Sequence, residues 1–311
     1  MSSDLADTWP FYVYVMQGVV VGVANLAVVV CVANFEALRN SKTFLVIFGL
    51  SLADALNMLG YVCAGAYCLM YASTLYELVP LSHCLQVPHI WVWLWVEHLS
   101  GLMLLAVSLD RLLCVWLPMT YFGWNKTYAF VLLLASYTLP LITGAFGIVQ
   151  LLPDKDQLQV TKLCYSPEIM ALASPAWFGP YFSFAAPLFA VGSVLLYVLV
   201  WLGHRLQQSK VVPMGQMNEH EDERQKTFTF LLGISCLCTL LLYILPVSLG
   251  YAILWLGGSY NLAMACFCLS NLNPMANIFI YAGRLPETRL AFKAFVQCKQ
   301  MPGDVRLWNQ H

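Results

Sequence analysis

"FYVYVMQGVVVGVANLAVVVCVA", residues 11–33, is an uncharged apolar run long enough to cross a lipid bilayer as one helix. A hydrocarbon core of about 30 Å requires roughly 20 residues at about 1.5 Å per residue. The preceding residues, MSSDLADTWP, lack the basic start of a cleaved signal peptide. We therefore interpret the run as a retained span.

Six further apolar runs continue the pattern along the chain. They cover residues 43–70, 84–117, 127–150, 177–203, 226–256 and 260–282. Of all residues, 60% are hydrophobic and 10% are charged, whereas soluble domains usually carry about 25% charged residues. Since a bilayer admits only helices or closed barrels, and each run is far longer than a strand, the sequence predicts an all-α membrane protein. Residues 1–283 are expected to form a bundle of seven transmembrane helices.

The distribution of basic residues predicts the orientation of the bundle. If the N-terminus lies outside, thirteen of the fifteen lysines and arginines fall on the inner side, and only Lys155 and Lys162 lie outside. Cytoplasmic segments of membrane proteins carry such an excess of positive charge. We therefore expect a multi-pass plasma-membrane protein with an extracellular N-terminus and a cytoplasmic C-terminus. The glycosylation sequon at Asn125 falls on the inner side, where it should stay unmodified.

Two opposite charges stand together at the inner end of the third run, in "SLDRLLCVWLPMTY", residues 108–121. Asp110 and Arg111 are each costly in hydrocarbon. One interpretation is an interfacial ion pair that anchors the helix, with the arginine reaching toward water. The other is a latch, in which Arg111 is released from its neighbour to a protein partner. The dipeptide alone leaves both interpretations open.

Polar residues and prolines recur along the runs in a definite order. They are Asn25 in GVANLAVVV, Asp54 in LSLADALNML, Asp110-Arg111-Leu112, Pro187, Pro246 in LYILP, and Asn273-Pro274 in NLNPMANIFIY. Their order and spacing resemble the rhodopsin-like G-protein-coupled receptors over nearly the whole chain. The stretches DRLLCVWLPMTY, CYSP and NIFIYAGRLPETRLAFKAF are similar to nematode-type serpentine chemoreceptors of the Srsx class.

The resemblance implies a set of activation residues in the inner half of the bundle. They are Asp110, Arg111, Pro246, Asn273, Pro274, Asn277 and Tyr281. The chain departs from the family pattern at several positions. Leu112 replaces the usual aromatic residue, Ile244 stands in place of the helix 6 tryptophan, and Asn277 in place of the helix 7 tyrosine. Tyr281 follows one turn later.

The resemblance also implies a disulfide and a polar network. Cys84, at the expected head of the third helix, and Cys164, in the long outer loop, match the family's bridge between loop and helix. A network around waters, a proton or a sodium ion is expected from Asn25, Asp54, Ser100 and Asn273. The cysteines inside the apolar runs are interpreted as small buried hydrophobes.

A second acidic residue, Glu97, lies near the middle of the third run, thirteen residues from both Cys84 and Asp110. In the amine receptors of the family the ligand-binding aspartate lies one turn away, where this chain has Trp93. Glu97 is interpreted either as a protonated acid bonded to another side chain, such as a serine, or as a ligand contact that accepts a hydrogen bond or balances a cation. Its neighbour His98 is expected to be a satisfied core histidine. The predicted ligand-binding residues are Trp93, Leu94, Glu97, Ser248, Tyr251 and Phe267.

The C-terminal residues 284–311 are expected to form a short amphipathic helix on the inner leaflet, followed by a tail. Leu285, Leu290 and Phe292 are interspersed there with charged residues. Cys298, at the end of this segment, either carries a palmitoyl group or stays a plain thiol.

Together these features predict a receptor in the lipid bilayer that binds an extracellular ligand and activates a heterotrimeric G protein. The ligand is expected to be a chemosensory small molecule or a peptide, and no cofactor is expected apart from a sodium ion near Asp54. A net charge of −1 gives no reason for nucleic-acid binding, and no hydrolase or phosphate-loop motif indicates an enzyme. Phe267 stands where opsins carry their retinal-bound lysine. The alternatives are a small seven-helix transporter or channel, and a receptor-like protein that does not signal.

Overall fold

The computed structural model describes residues 3–172, 176–208 and 233–284, together with positions 289, 290, 293, 294 and 297. Seven helices in these ranges are long and apolar enough to cross a membrane, as the hydropathy pattern predicts. We number them span 1 to span 7 in chain order: Thr8–Asn34, Lys42–Met70, Pro88–Trp116, Thr127–Leu151, Phe178–Leu206, Gly233–Leu254 and Tyr260–Ile280. The predicted all-α fold class is therefore confirmed.

The helices that contain the spans begin and end near the limits of the apolar runs. The helix of span 1 is Ser3–Asn34, and that of span 5 is Phe178–Gln208. Span 3 differs, because its helix begins at Pro88, so the prediction that Cys84 heads this helix is wrong. Proline suits the first turn of a helix, where its missing N–H is not needed and its fixed φ is already helical. Cys84 instead ends the separate short helix Leu81–Cys84.

Prolines interrupt the helical pattern in spans 6 and 7. A π-helical segment, Leu240–Ile244, ends two residues before Pro246. Proline removes one hydrogen bond of the helix and its ring clashes with the carbonyl four residues earlier, so the backbone bonding shifts there. Span 7 contains the helix Tyr260–Ser270 and most of the helix Leu272–Arg284, and Pro274 lies in the first turn of the second helix. Each of these two spans therefore contains a point where it departs from a regular helix.

Span 3 lies at the centre of the bundle, where it packs against spans 2, 4 and 5. Small residues let membrane helices approach closely. A Cβ atom added at Gly101 of span 3 would lie 2.8 Å from the carbonyl oxygen of Ala186 in span 5. One added at Gly144 of span 4 would lie 2.7 Å from the carbonyl oxygen of Leu94 in span 3. Glycine therefore permits the contact of span 3 with both neighbours.

Replacing Gly101 with alanine is expected to destabilise the bundle by about 1–3 kcal/mol, the usual cost of overpacking. Alanine is the better helix former, but the Ala186 backbone cannot yield without displacing span 5. Gly192→Ala is the matched control, because its added Cβ would meet only the side-chain end of Leu105, at 3.3 Å. Thermal unfolding of the purified protein in detergent should show a lower Tm for Gly101→Ala alone. Equal Tm values for the two variants would contradict the close approach of spans 3 and 5.

Two short strands lie at the end of the bundle where span 3 begins. β1, Leu78–Pro80, pairs antiparallel with β2, Gln159–Thr161, and Val79 stands opposite Val160. The sequence did not predict these strands, since three residues are too few to show an alternating pattern. We call this end of the bundle the strand end and the opposite end the Arg111 end.

Beyond span 7, Arg289, Leu290, Lys293 and Ala294 are helical. The backbone N–H of Gln297 donates to the Lys293 carbonyl at 3.0 Å, which adds one helical hydrogen bond. The other residues of the expected amphipathic helix, Cys298 included, lie outside the described part of the chain. The amphipathic helix and its palmitoyl group therefore stay predictions.

Candidate functional site

Asp110 and Arg111, near the end of span 3, form an ion pair in which the guanidinium contacts the carboxylate directly. Asp110 is completely buried, and only 12% of the Arg111 side chain is exposed. The Tyr121 hydroxyl donates a hydrogen bond of 3.0 Å to Asp110 Oδ1, and Arg111 Nη2 donates one of 2.9 Å to the Thr43 hydroxyl. The pair is thus enclosed by span 2, which carries Thr43, and by the short helix Pro118–Gly123, which carries Tyr121.

Lys42, at the start of span 2, fastens the short helix Pro118–Gly123 to the bundle. Its Nζ donates hydrogen bonds of 2.8 Å to the carbonyl oxygens of Tyr121 and Trp124 and lies 4.5 Å from the centre of the Tyr121 ring. The last carbonyls of a helix have no partners within it, so a cation there completes their hydrogen bonding. Burial raises the pKa of Tyr121 well above its ordinary value, which keeps the hydroxyl protonated and able to donate to Asp110. No sequence pattern singles out Lys42, because its partners Tyr121 and Trp124 lie far along the chain.

A polar core surrounds the buried carboxyl of Asp54 in span 2. Ser100 and Asn277 lie next to this carboxyl. Four buried atoms form no hydrogen bond within the described residues: Asp54 Oδ2, Ser100 Oγ, Asn273 Oδ1 and Asn277 Nδ2. Asn273 and Asn277 share one helix face because they are four residues apart. The Ser235 hydroxyl donates to Asn277 Oδ1 at 2.8 Å, so this core also links span 6 to span 7.

The family resemblance implies a sodium ion or a proton at Asp54. Carboxylate and hydroxyl oxygens suit small hard cations, and Asp54 and Ser100, which lie next to each other, supply one of each. The Asn25 amide donates a hydrogen bond of 3.1 Å to the Val21 carbonyl of its own helix, and its place in the polar network stays a prediction.

Glu97 lies in span 3, between the polar core and the strand end. Its Oε2 accepts a hydrogen bond of 2.8 Å from Ser166 Oγ, so the acid is bonded to a serine, as one sequence interpretation expected. Ser166 begins the short helix Ser166–Ala171, two residues after Cys164. The Glu97 side chain is only partly buried, and no residue of the described ranges forms an ion pair with it. This geometry is compatible with both a protonated acid and a ligand contact.

Several aromatic side chains lie in the neighbourhood of Glu97. Four tyrosines from span 2, span 6 and the loop after β2 lie within electrostatic reach of its carboxylate: Tyr61, Tyr165, Tyr243 and Tyr251. Trp93, one turn before Glu97, has its ring centre 5.7 Å from that of Tyr61. These five side chains, which we call the ring cluster, are all partly buried and keep some accessible surface.

The structure brings only part of the predicted ligand-binding set together. Trp93 and Tyr251 belong to the ring cluster around Glu97, and Phe267 lies beside Tyr251, with ring centres 5.3 Å apart. Leu94 instead approaches span 4, and Ser248 is exposed on span 6. Tyr61, Tyr165 and Tyr243 were missed, because each lies on a different element and no spacing within the sequence links them to Glu97.

The histidines of span 3 are part of the core. His98 Nε2 donates a hydrogen bond of 2.7 Å to the Phe182 carbonyl in span 5, whereas its Nδ1 has no hydrogen-bond partner within the described residues, so the expected core histidine is satisfied at one nitrogen only. His89 is buried against the rings of Tyr67 and Trp93, with centres 5.1 and 5.3 Å away. Within the described residues, no group of three or more histidine, cysteine or acidic side chains could hold a metal ion.

The disulfide between Cys84 and Cys164 is formed, as the family resemblance implied, and both cysteines are completely buried. It joins the short helix Leu81–Cys84 to the loop that follows β2. Tyr165 and Ser166 come directly after Cys164, so the bridge fixes the chain at the point where it reaches Glu97. Burial, with a smaller contribution from the Glu97 charge, raises the pKa of Tyr165 well above its ordinary value.

Two further contacts hold the same loop. The Glu168 carboxylate accepts hydrogen bonds from the Thr161 backbone N–H, at 3.1 Å, and from the Thr161 hydroxyl, at 2.6 Å. Lys162 Nζ donates to the Thr74 hydroxyl at 2.9 Å and lies 4.3 Å from the centre of the Tyr71 ring. Hydrogen bonds within the loop therefore stabilise its conformation, and the Lys162 contacts hold it against the connection between spans 2 and 3.

Comparison of the chain with protein-family models gave no match, and a search of curated proteins gave none either. The geometry of the two polar sites and the ring cluster therefore carries the functional interpretation.

Proposed function

We propose that this chain is a G-protein-coupled receptor in which the Asp110–Arg111 pair restrains an inactive packing of the bundle. The strand end faces the extracellular side and receives the ligand, and the Arg111 end faces the cytoplasm, in keeping with the distribution of basic residues. The observation that carries the proposal is the burial of the pair between Tyr121 and Thr43.

An interfacial anchor does not account for this burial. An anchoring arginine buries its stem and keeps its charged head in water. Here Asp110 is fully buried, Arg111 is nearly so, and the pair has partners on two other elements. Removing two charges from water is costly, and opening such a pair leaves a buried charge without its partner. The free-energy cost of burying the pair therefore favours the interpretation that the pair restrains the bundle and that a protein partner releases it.

The proposed activation is a shift of population between two packings of the spans. In the inactive packing Arg111 stays with Asp110. In the active one the Arg111 end of span 6 moves outward and exposes Arg111 to the G protein. Span 6 can bend at the π-helical segment Leu240–Ile244 and at Pro246, where its backbone bonding is irregular. The movement requires the hydrogen bond between Ser235 and Asn277 to break.

Tyr243 provides a connection between the ligand site and span 6. It lies in the π-helical segment, next to Ile244, which occupies the position of the family's helix 6 tryptophan. Both Glu97 and Asp54 lie within electrostatic reach of its hydroxyl. Its ring also packs against the central apolar core and against the smaller cluster between spans 6 and 7. A ligand that displaces Tyr243 would therefore alter the packing of span 6.

Asp110→Asn is expected to raise basal G-protein activation, because the restraint on Arg111 is weakened. The effect should correspond to about 1–3 kcal/mol of bias between the packings, or roughly a 5- to 150-fold change in their ratio. The measurement is nucleotide exchange by a panel of heterotrimeric G proteins with purified receptor in lipid nanodiscs. Tyr121→Phe, which removes one hydrogen bond to Asp110, should give a smaller increase.

Glu36→Gln is the matched control, because Glu36 is an exposed acid at the same end of the bundle. It should leave basal exchange unchanged. If Asp110→Asn and Glu36→Gln both behave as wild type at equal amounts of folded protein, the pair is an anchor and the latch is rejected. If no G protein responds to any of the proteins, the chain is a receptor-like protein that does not signal.

A further inference from the structure

Span 7 is interrupted between its two helices. The first helix ends at Ser270 and the second begins at Leu272, so Asn271 belongs to neither. The last four carbonyls of a helix have no donor within it. Pro274 adds to this loss, because it has no N–H that could bond the Ser270 carbonyl. Carbonyls in hydrocarbon must find other donors, since hydrocarbon contains no water to replace them. We call residues 267–272 the span 7 break.

Two side chains donate hydrogen bonds to carbonyls of the span 7 break. The Ser270 hydroxyl donates at 2.7 Å to the Phe267 carbonyl of its own helix. The second donor comes from span 1, where Gln17 Nε2 bonds the Cys268 carbonyl at 3.1 Å. The oxygen of the same amide is also used, because Asn271 Nδ2 donates to Gln17 Oε1 at 3.3 Å. One glutamine therefore bonds both the backbone and a side chain of the break.

Gln17 is a polar residue on a strongly apolar helix. Its neighbours Met16, Val19 and Val20 are all exposed on the outer surface of the bundle, whereas Gln17 is partly buried against span 7. An amide group in apolar surroundings is costly unless it is hydrogen-bonded, and the same holds for a backbone carbonyl. The contact therefore gives a polar group of each span the partner that it requires.

The direction of the second helix of span 7, Leu272–Arg284, depends on the geometry of the break. This helix carries Asn277, which lies next to Asp54 and accepts a hydrogen bond of 2.8 Å from the Ser235 hydroxyl of span 6. A rotation of the helix about the break would move Asn277 relative to both partners. A side chain that fixes the break therefore also affects the polar core and the contact between spans 6 and 7.

We infer that Gln17 is a positioning residue that stabilises the span 7 break against local opening and so sets the direction of the helix that carries Asn273 and Asn277. The inference concerns the conformation of span 7 and goes beyond the proposed function. Only its consequence for signalling rests on that function, in which the hydrogen bond between Ser235 and Asn277 must break. The two proposals can therefore fail separately.

The test measures hydrogen–deuterium exchange of the purified full chain in lipid nanodiscs, with mass spectrometry of the peptides that contain Leu272 and Asn273. Gln17→Met keeps the length of the side chain and removes both hydrogen bonds. Hydrogen bonds between membrane helices are individually modest, so losing two should make exchange at the break roughly tenfold faster. Peptides from span 4 should exchange as in wild type, because the opening is local.

Two control variants separate this contact from general packing. Tyr14→Phe removes another contact of span 1 with span 7, in which the hydroxyl lies 3.6 Å from Met264 Sδ in the first helix. Thr138→Val removes an exposed hydroxyl of span 4 that bonds carbonyls of its own helix. Exchange at the span 7 break should stay close to wild type in both variants, because neither touches the break.

Asn271→Ala provides a second measurement that keeps Gln17 in place. It removes the hydrogen bond between the two side chains and leaves the bond to the Cys268 carbonyl, so exchange should rise less than in Gln17→Met. In the double variant, exchange should match Gln17→Met alone, because the shared bond is already lost. Asn271→Ala keeps the test decisive if Gln17→Met lowers the yield of folded protein.

Three results would overturn the inference: unchanged or slower exchange at the break in Gln17→Met, equal acceleration by Tyr14→Phe, or additive effects of Gln17→Met and Asn271→Ala. Basal nucleotide exchange by G proteins then tests the link to signalling, and it should rise several-fold in Gln17→Met. A loosened break without any such rise would contradict the proposed role of the Ser235–Asn277 bond in activation and leave the role of Gln17 standing.

Discussion

Arg111→Ala is expected to abolish G-protein activation while the protein still folds and reaches the cell surface. The proposed active packing exposes the Arg111 guanidinium to the G protein, and alanine offers neither charge nor donor. The loss should be at least the roughly 100-fold that a coupling energy near 3 kcal/mol represents. Ligand-stimulated nucleotide exchange, normalised to the amount of receptor at the surface, measures it.

A fall in stability must be separated from this loss of signalling. Without Arg111, the buried Asp110 carboxylate loses its cation, and such a change costs about 3–5 kcal/mol in buried pairs. The double variant Asp110→Asn with Arg111→Ala removes both charges and should recover much of the stability without recovering signalling. Arg111→Lys keeps the charge but lacks the planar fork of donors, so partial signalling is expected. Normal signalling by Arg111→Ala would show that the residue only anchors span 3.

Loss of the disulfide is expected to destabilise the protein about as much as loss of Arg111 from its buried pair. Cys84→Ser and Cys164→Ser should each destabilise the protein by about 2–5 kcal/mol, because the bridge closes a long loop in the unfolded chain. The residues lie 80 positions apart. The readouts are surface expression and Tm, and both should fall in each variant. Ligand response should fall as well, since the bridge positions Tyr165 and Ser166 at Glu97.

The double variant tests whether the two cysteines act as one unit. Once either partner is gone the bridge is lost, so removing the second should add little to the destabilisation. Cys63→Ser is the control, because Cys63 is a free, partly buried cysteine in span 2. It should cost less than either single variant of the bridge. Clearly additive losses from Cys84→Ser and Cys164→Ser would mean that the two residues do not pair in the folded protein.

Some structural features could be predicted from local patterns. The missing N–H of Pro246 and of Pro274 accounts for the irregular points of spans 6 and 7, but Pro140 and Pro187 lie inside continuous helices, so proline alone does not predict such a point. Pro88 marks the first turn of span 3, because proline favours that position in a helix, whereas the apolar run extends back to Cys84 and predicts an earlier start. The pairing of β1 with β2 had no comparable signal, since each strand has only three residues.

The partners of the charged residues could not be predicted in the same way. Arg111 and Asp110 adjoin in sequence, so their contact was expected. Thr43 and Tyr121 reach the pair only because the beginning of span 2 and the short helix Pro118–Gly123 lie beside the last turns of span 3. Depth and rotation depend on how whole helices pack, and no spacing along one segment reports them.

The sequence by itself therefore determined the seven spans, because hydrocarbon excludes unpaired backbone groups and charged side chains along any segment that crosses it. It also identified the residues that require a partner or a function, since placing Asp54, Glu97 or Arg111 in hydrocarbon is costly in any fold. The tertiary structure alone decided what each of them meets. Glu97 lies among Tyr61, Tyr165 and Tyr243 because spans 2, 3 and 6 and a disulfide-held loop converge, and that convergence is set by contacts between distant parts of the chain.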